Sequence, residues 1–174
     1  MSTVDLMLLG HLMKAPMNAY EMKKNLEFAN ISRWVKISTP SVYKNLVKLN
    51  EKGFLDSKTV KEGEMPEKTV YTINEKGKEY FRKLMQRYSE SVGNIYFDFN
   101  AVIANLDKVD KDTGLQMLNK LQEQFFILQK IMERNVESKQ DIPYIGMSII
   151  KLYEGLFNLL YNWSDDLKKE YSKK

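Results

Sequence analysis

Residues 39–48, Thr-Pro-Ser-Val-Tyr-Lys-Asn-Leu-Val-Lys, crowd hydroxyl, amide and ammonium groups into one short stretch. The hydroxyls of Ser41 and Tyr43 are of the type that donates to phosphate. Asn45 carries an amide that can bond adenine through both its atoms, and Lys44 and Lys48 can reach guanine or phosphate. Lys58, Lys61 and Lys68 continue the basic supply downstream. Such a set recognises a polyanion by hydrogen bonds and charge.

Residues for other chemistry are scarce. The chain has no cysteine, which removes disulfides, thiolate metal sites and cysteine nucleophiles. Its single histidine, His11, cannot form a multi-histidine metal cluster, and beside Gly10 and Leu12 it reads as a structural residue. The eight glycines are scattered and form no phosphate-cradling loop. The expectation is a protein that is not an enzyme and has no metal or cofactor.

The polar stretch needs a rigid carrier. Thr39 reads as an N-cap and Pro40 as the first helical residue, where a missing N–H costs nothing. Val42, Leu46 and Leu49 follow at i, i+4 and i+7, a buried stripe. Ser41, Lys44, Asn45 and Lys48 then lie outside, with Tyr43 at the border. Gly53 stops the helix in a left-handed cap. Upstream, residues 5–13 space Leu6, Leu9, Leu12 and Met13 as a first helix. Asn18 and Glu21 form a capping box for a second, over residues 19–28. Residues 54–60 and 68–73 alternate like strands around the turn-rich loop 61–67, which makes a hairpin. Asn74 caps the next helix.

Three helices followed by a two-stranded hairpin is the order of a winged helix-turn-helix. A helix fits the major groove, and a hairpin can lie along the flanking backbone. The helix N-terminus near Thr39 and Ser41 can itself face a phosphate. Charge agrees: residues 1–88 hold 16 Lys/Arg against 10 Asp/Glu, whereas residues 89–174 hold 11 against 13. The basic part is the one expected to meet nucleic acid. The division expected is a DNA-binding domain over 1–88 and a helical dimerisation domain over 89–174.

The second part repeats apolar residues at steps of three and four. Met85, Tyr88, Val92, Ile95, Phe99, Val102 and Leu106 form one coiled-coil-like seam, interrupted at Gly93. Leu118, Leu121, Phe125, Leu128 and Met132 form another. After Pro143 come Ile145, Ile149, Leu152, Leu156, Leu159 and Trp163, with a second stripe of Tyr153, Phe157, Leu160 and Tyr161. A helix so widely apolar must be covered on two sides. The simplest cover is a second copy, in a homodimer through Ile145, Ile149, Leu152, Tyr153, Leu156, Phe157, Leu160 and Trp163. A helix central to a monomeric bundle is the alternative.

Four segments resemble the PadR family of bacterial transcriptional regulators. They are Leu8-Leu9-Gly10-His11-Leu12 with Asn18-Ala19-Tyr20-Glu21; Ser41-Val42-Tyr43-Lys44-Asn45-Leu46 through Gly53-Phe54-Leu55; Lys68-Thr69-Val70-Tyr71-Thr72-Ile73; and Asn74-Glu75-Lys76-Gly77. The layout resembles the longer subfamily, with its C-terminal helical dimerisation domain. The resemblance implies a homodimeric repressor of transcription that binds double-stranded DNA and is released by a small aromatic effector. Tyr96, Phe97, Phe99, Phe157, Tyr161 and Trp163 are the candidate effector lining. The chain departs from the family at Ala19, Ser41 and Lys44, and in its acidic wing tip of Glu62, Glu64 and Glu67, which would repel phosphate.

No apolar run approaches the roughly 18 residues needed to cross a bilayer. The N-terminus lacks a basic region and carries Asp5, so no signal peptide is expected and the location reads as cytoplasmic. Two other functions fit the same residues: a winged helix that binds protein, and a helical ligand-binding protein without DNA affinity.

Overall fold

The structure, a computed structural model, describes residues 2–61, 67–138 and 142–173. It divides into two compact units, Met1–Asn94 and Ile95–Lys174. The wing-tip residues Glu62 and Glu64 lie outside the described residues, so the expected acidic tip is not placed.

The first unit opens with α1 (Thr3–Leu12), capped by the Ser2 hydroxyl, which accepts from the Val4 N–H at 3.0 Å. Its buried face is Val4, Asp5, Leu8, Leu9 and Leu12, whereas Met13 is exposed. The short strand β1 (Met17–Asn18) leads into α2 (Ala19–Phe28). Asn18 Oδ1 accepts from the Tyr20 and Glu21 N–H groups, and the Asn18 N–H donates to Glu21 Oε2 at 2.9 Å. The expected capping box is therefore present.

Helix α3 (Thr39–Glu51) is capped by Ser38, one residue before the expected Thr39. The Ser38 hydroxyl accepts from the Ser41 N–H, and Ser41 Oγ accepts from the Ser38 N–H at 3.0 Å. Thr39 and Pro40 thus begin the helix. At the other end Gly53, at φ 73°, adopts the left-handed conformation. The Gly53 N–H donates to Asn50 O and the Phe54 N–H to Leu49 O, which closes the helix with a Schellman motif.

β2 (Leu55–Val60) and β3 (Lys68–Ile73) pair antiparallel, from Leu55 opposite Ile73 to Val60 opposite Lys68. β1 adds to the other side of β3, so the hairpin gains a third short strand that no periodicity announces. Asn74 caps α4 (Glu75–Ser89) by accepting from the Gly77 N–H, while its Nδ2 donates to Gly53 O and Asp56 Oδ1. One asparagine thus joins the end of α3, β2 and the start of α4. Leu8, Leu9, Met22, Leu46, Leu49 and Leu84 lie at the centre of the core.

The long seam expected from Met85 to Leu106 is not one helix. α4 ends at Ser89, and the next helix, α5, is only Asn100–Ile103. Gly93 takes φ 68°, and Val92 and Ile95 are exposed. Apolar spacing alone does not hold a helix that has no surface to pack on.

In the second unit α6 (Lys111–Ser138) and α7 (Tyr144–Lys173) pack together. Gln122 donates to Asp165 and Gln129 to Asn158, so rising numbers meet falling ones and the helices run antiparallel. Leu118, Phe125, Leu160 and Ser164 are buried between them or beside them. Tyr171 donates its hydroxyl to Leu106 O at 3.1 Å, which ties the end of α7 to the turn before α6. No helix among the described residues is long and apolar enough to cross a membrane.

Candidate nucleic-acid interface

α3 is held by its inner face. Val42, Leu46 and Leu49 are each 2% exposed or less, so the helix cannot roll without opening the core. Its outer face is thereby fixed toward solvent. Thr39, Pro40, Lys44 and Lys48 are exposed there, and Tyr43 is 44% exposed.

Two of the expected polar contacts are already engaged within the helix. Ser41 Oγ donates to Ser38 O at 2.6 Å while it accepts from the Ser38 N–H. Its hydroxyl proton therefore serves the cap. Asn45, half-buried, donates through Nδ2 to Ser41 O at 2.7 Å. Its Oδ1 and second amide hydrogen remain for another partner.

Val47, 48% exposed, stands on the same outer face as Tyr43 and Lys44. Sequence reading passes over it because an apolar side chain in a helix is first assigned to the core. The helical angle was the signal that could have found it, since Val47 lies on the side away from Val42, Leu46 and Leu49.

The hairpin supplies the other cations. Lys58 on β2 and Lys61 just beyond it are exposed, and Lys68 on β3 is half-buried opposite Val60. α3 packs against β2, so helix and hairpin belong to one rigid unit. At the start of α3 an open groove of about 230 Å³ is lined by Lys23, Glu27, Ser32, Ser38 and Thr39 with the apolar Leu26, Ile37 and Val42, and Lys23 pairs with Glu27 at 3.5 Å. Arg33 and Lys36, both exposed, lie between α2 and α3 in sequence.

His11 is structural in geometry. Its Nδ1 donates to Met7 O at 2.9 Å, one turn back in α1. Among the described residues no group of three His, Cys, Asp or Glu is placed to hold a metal ion.

The second unit spreads its candidate residues. Phe97 stacks on Phe99 at 5.2 Å, and Phe99 also meets Phe125 and Trp163. Tyr161 packs with Phe126, Phe157 with Tyr153, and Tyr96 is exposed. An open groove of about 330 Å³ beside Phe99 is lined by Val102, Met117, Lys120, Leu121 and Gln124. Of the eight residues expected to face a partner copy, Leu160 is buried within the unit and Trp163 packs on Phe99. Ile145 and Leu152 are exposed, as is Leu159. Ile149, Tyr153, Leu156 and Phe157 are half-buried.

Residues 8–83 match the family model of the transcriptional regulator PadR-like family. No curated protein matches the chain. Among solved structures, Bacillus subtilis PadR in complex with operator DNA is similar at 15% identity and a TM-score of 0.81, over 98% of each chain. The same protein in complex with p-coumaric acid is similar at 13% identity and a TM-score of 0.83, over 97% of this chain and 98% of that one. The Vibrio cholerae virulence activator AphA is similar at 16% identity and a TM-score of 0.76, over 98% of each chain. The likeness to these structures is one of fold: a winged helix followed by a helical region.

Proposed function

With residues 8–83 a PadR-like domain on a transcriptional-regulator fold, we propose that the chain is a sequence-specific DNA-binding repressor that acts as a homodimer. The observation that carries this reading is the outer face of α3. A helix locked into the core by Val42, Leu46 and Leu49 presents Thr39, Tyr43, Lys44 and Lys48 outward on one side. Lys44 and Lys48 supply phosphate or guanine contacts, and Tyr43 and Thr39 set the register on the backbone. Asn45 reads a base through the Oδ1 and second amide hydrogen that its bond to Ser41 O leaves available. Lys58, Lys61 and Lys68 contact the flanking backbone.

Dimerisation is supported by α7. Ile145, Leu152 and Leu159 recur at every seventh residue and are all exposed. Seven-residue spacing keeps such a stripe against a second helix. A two-fold pair of chains then offers two recognition helices to half-sites about one helical turn apart. The Phe97, Phe99 and Trp163 cluster supports a small aromatic effector that releases DNA, as a flat apolar ligand finds stacking partners there.

Fluorescence anisotropy tests the reading. The purified chain is titrated with a labelled duplex from upstream of its own gene and with an unrelated duplex, at several salt concentrations. Tight binding that prefers the upstream duplex and weakens steeply with salt is the expected result. No binding to either duplex at low salt overturns it and favours a protein partner for the winged helix.

A further inference from the structure

Val47 is a side chain that neither the fold nor the charge pattern of α3 accounts for. It is 48% exposed, adds nothing to the buried stripe, and as a β-branched residue is a poorer helix former than alanine. At 3.6 residues per turn Val47 lies about 45° from the direction opposite the core, whereas Asn45 lies about 115° away. Lys44 and Lys48 lie about 60° and 100° round the helix to one side of Val47 and Tyr43 about 40° to the other, and all three are exposed. The Asn45 amide, the expected base reader, is turned back onto Ser41 O.

The major-groove edge of thymine carries a C5-methyl group, the one base-edge feature that an aliphatic side chain can recognise. We infer that Val47 is a specificity-determining residue that packs its methyl groups on a thymine C5-methyl, beside two lysines that hold phosphate or guanine. This rests on the reading of α3 as the DNA-reading helix. It makes at least one A·T pair in the operator obligatory, and it makes the recognition at that pair one of shape and apolar contact. Glu51 is exposed at the end of the same helix and would repel phosphate, so the contact falls to the first two to three turns, where Val47 is the last exposed apolar group.

The test begins with selection of preferred duplexes from a random pool by the full chain. Each thymine of the selected site is then replaced singly by deoxyuridine, which pairs identically and lacks only the methyl group. The expected result is at least one thymine whose replacement weakens wild-type binding about three- to tenfold. Val47→Ala should bind the unmodified duplex more weakly by the same factor and be indifferent to that replacement. Val47→Thr, which keeps one methyl group, should fall between.

Wild-type affinity unchanged by every replacement overturns the inference, and so does an undiminished penalty in Val47→Ala. Either result leaves DNA binding itself standing. Failure of the wild-type chain to select any duplex overturns the DNA reading and this inference with it. The deoxyuridine series on the wild-type chain needs no variant, so poor folding of a variant cannot mask the outcome.

Discussion

The Tyr80 hydroxyl donates to the carboxylate of Asp5 at 3.3 Å, across 75 positions of sequence. Asp5 is buried on α1, and the Tyr80 ring stacks on Phe54 at 4.4 Å. The contact ties the first and last helices of the N-terminal unit to the approach of β2. Burial, and after it the Asp5 charge, push the Tyr80 hydroxyl up to about 12 from its ordinary value near 10.

A tyrosine whose pKa rises on folding contributes stability that is fully present below about pH 10 and is lost as pH climbs toward 12. Thermal unfolding followed from pH 8 to 12 should therefore fall more steeply for the wild type than for Tyr80→Phe. At pH 7 the variant should lose about 1 kcal/mol by urea unfolding. Parallel pH profiles for the two proteins would count against this role for Tyr80.

Tyr43 and Lys44 separate two kinds of contact. Tyr43→Ala should weaken binding to specific and unrelated duplexes alike, because a phosphate contact carries no sequence information. Lys44→Ala, if Lys44 meets phosphate, should lower the slope of log affinity against log salt by about one. An unchanged slope together with relaxed sequence preference would instead assign Lys44 to a base.

Gly77 sits where a side chain has no room. A Cβ there would lie 2.1 Å from Phe54 O, which is main chain and cannot turn aside. Gly77→Ala should cost upwards of about 2 kcal/mol, because the first turn of α4 must move away from the sheet. Urea unfolding of the full chain reads this directly. A cost below about 0.5 kcal/mol would show that the turn adapts freely.

Leu152 lies at the middle of the exposed stripe on α7, 68% exposed. Leu152→Glu should leave the helical content unchanged and convert a dimer into a monomer of 20.5 kDa in sedimentation. DNA affinity should fall with it, because two half-sites are no longer bound together. A wild-type chain that sediments as a monomer would remove the dimer from the proposal.

The sequence by itself determined what depends on near neighbours. The capping box at Asn18, the cap at Asn74 and the left-handed Gly53 were legible because each is decided within a few residues of chain. The buried stripe of α3 was legible because Val42, Leu46 and Leu49 keep one helical angle. The cap of α3 fell on Ser38 instead of Thr39, since both hydroxyls can serve and the geometry of entry chooses between them. Tertiary structure decided the rest. β1 exists only because α1 delivers Met17 and Asn18 to the free side of β3. The apolar spacing from Met85 to Leu106 failed as a helix for want of a surface to pack on. Both stripes of α7 looked alike in sequence, and pairing with α6 buried Leu160 and left Ile145, Leu152 and Leu159 outside. On α3 the burial of Val42, Leu46 and Leu49 leaves Val47 facing outward beside Lys44, while Asn45 gives one amide hydrogen to its own helix. Residue types set which contacts a face can make; packing set which face is presented.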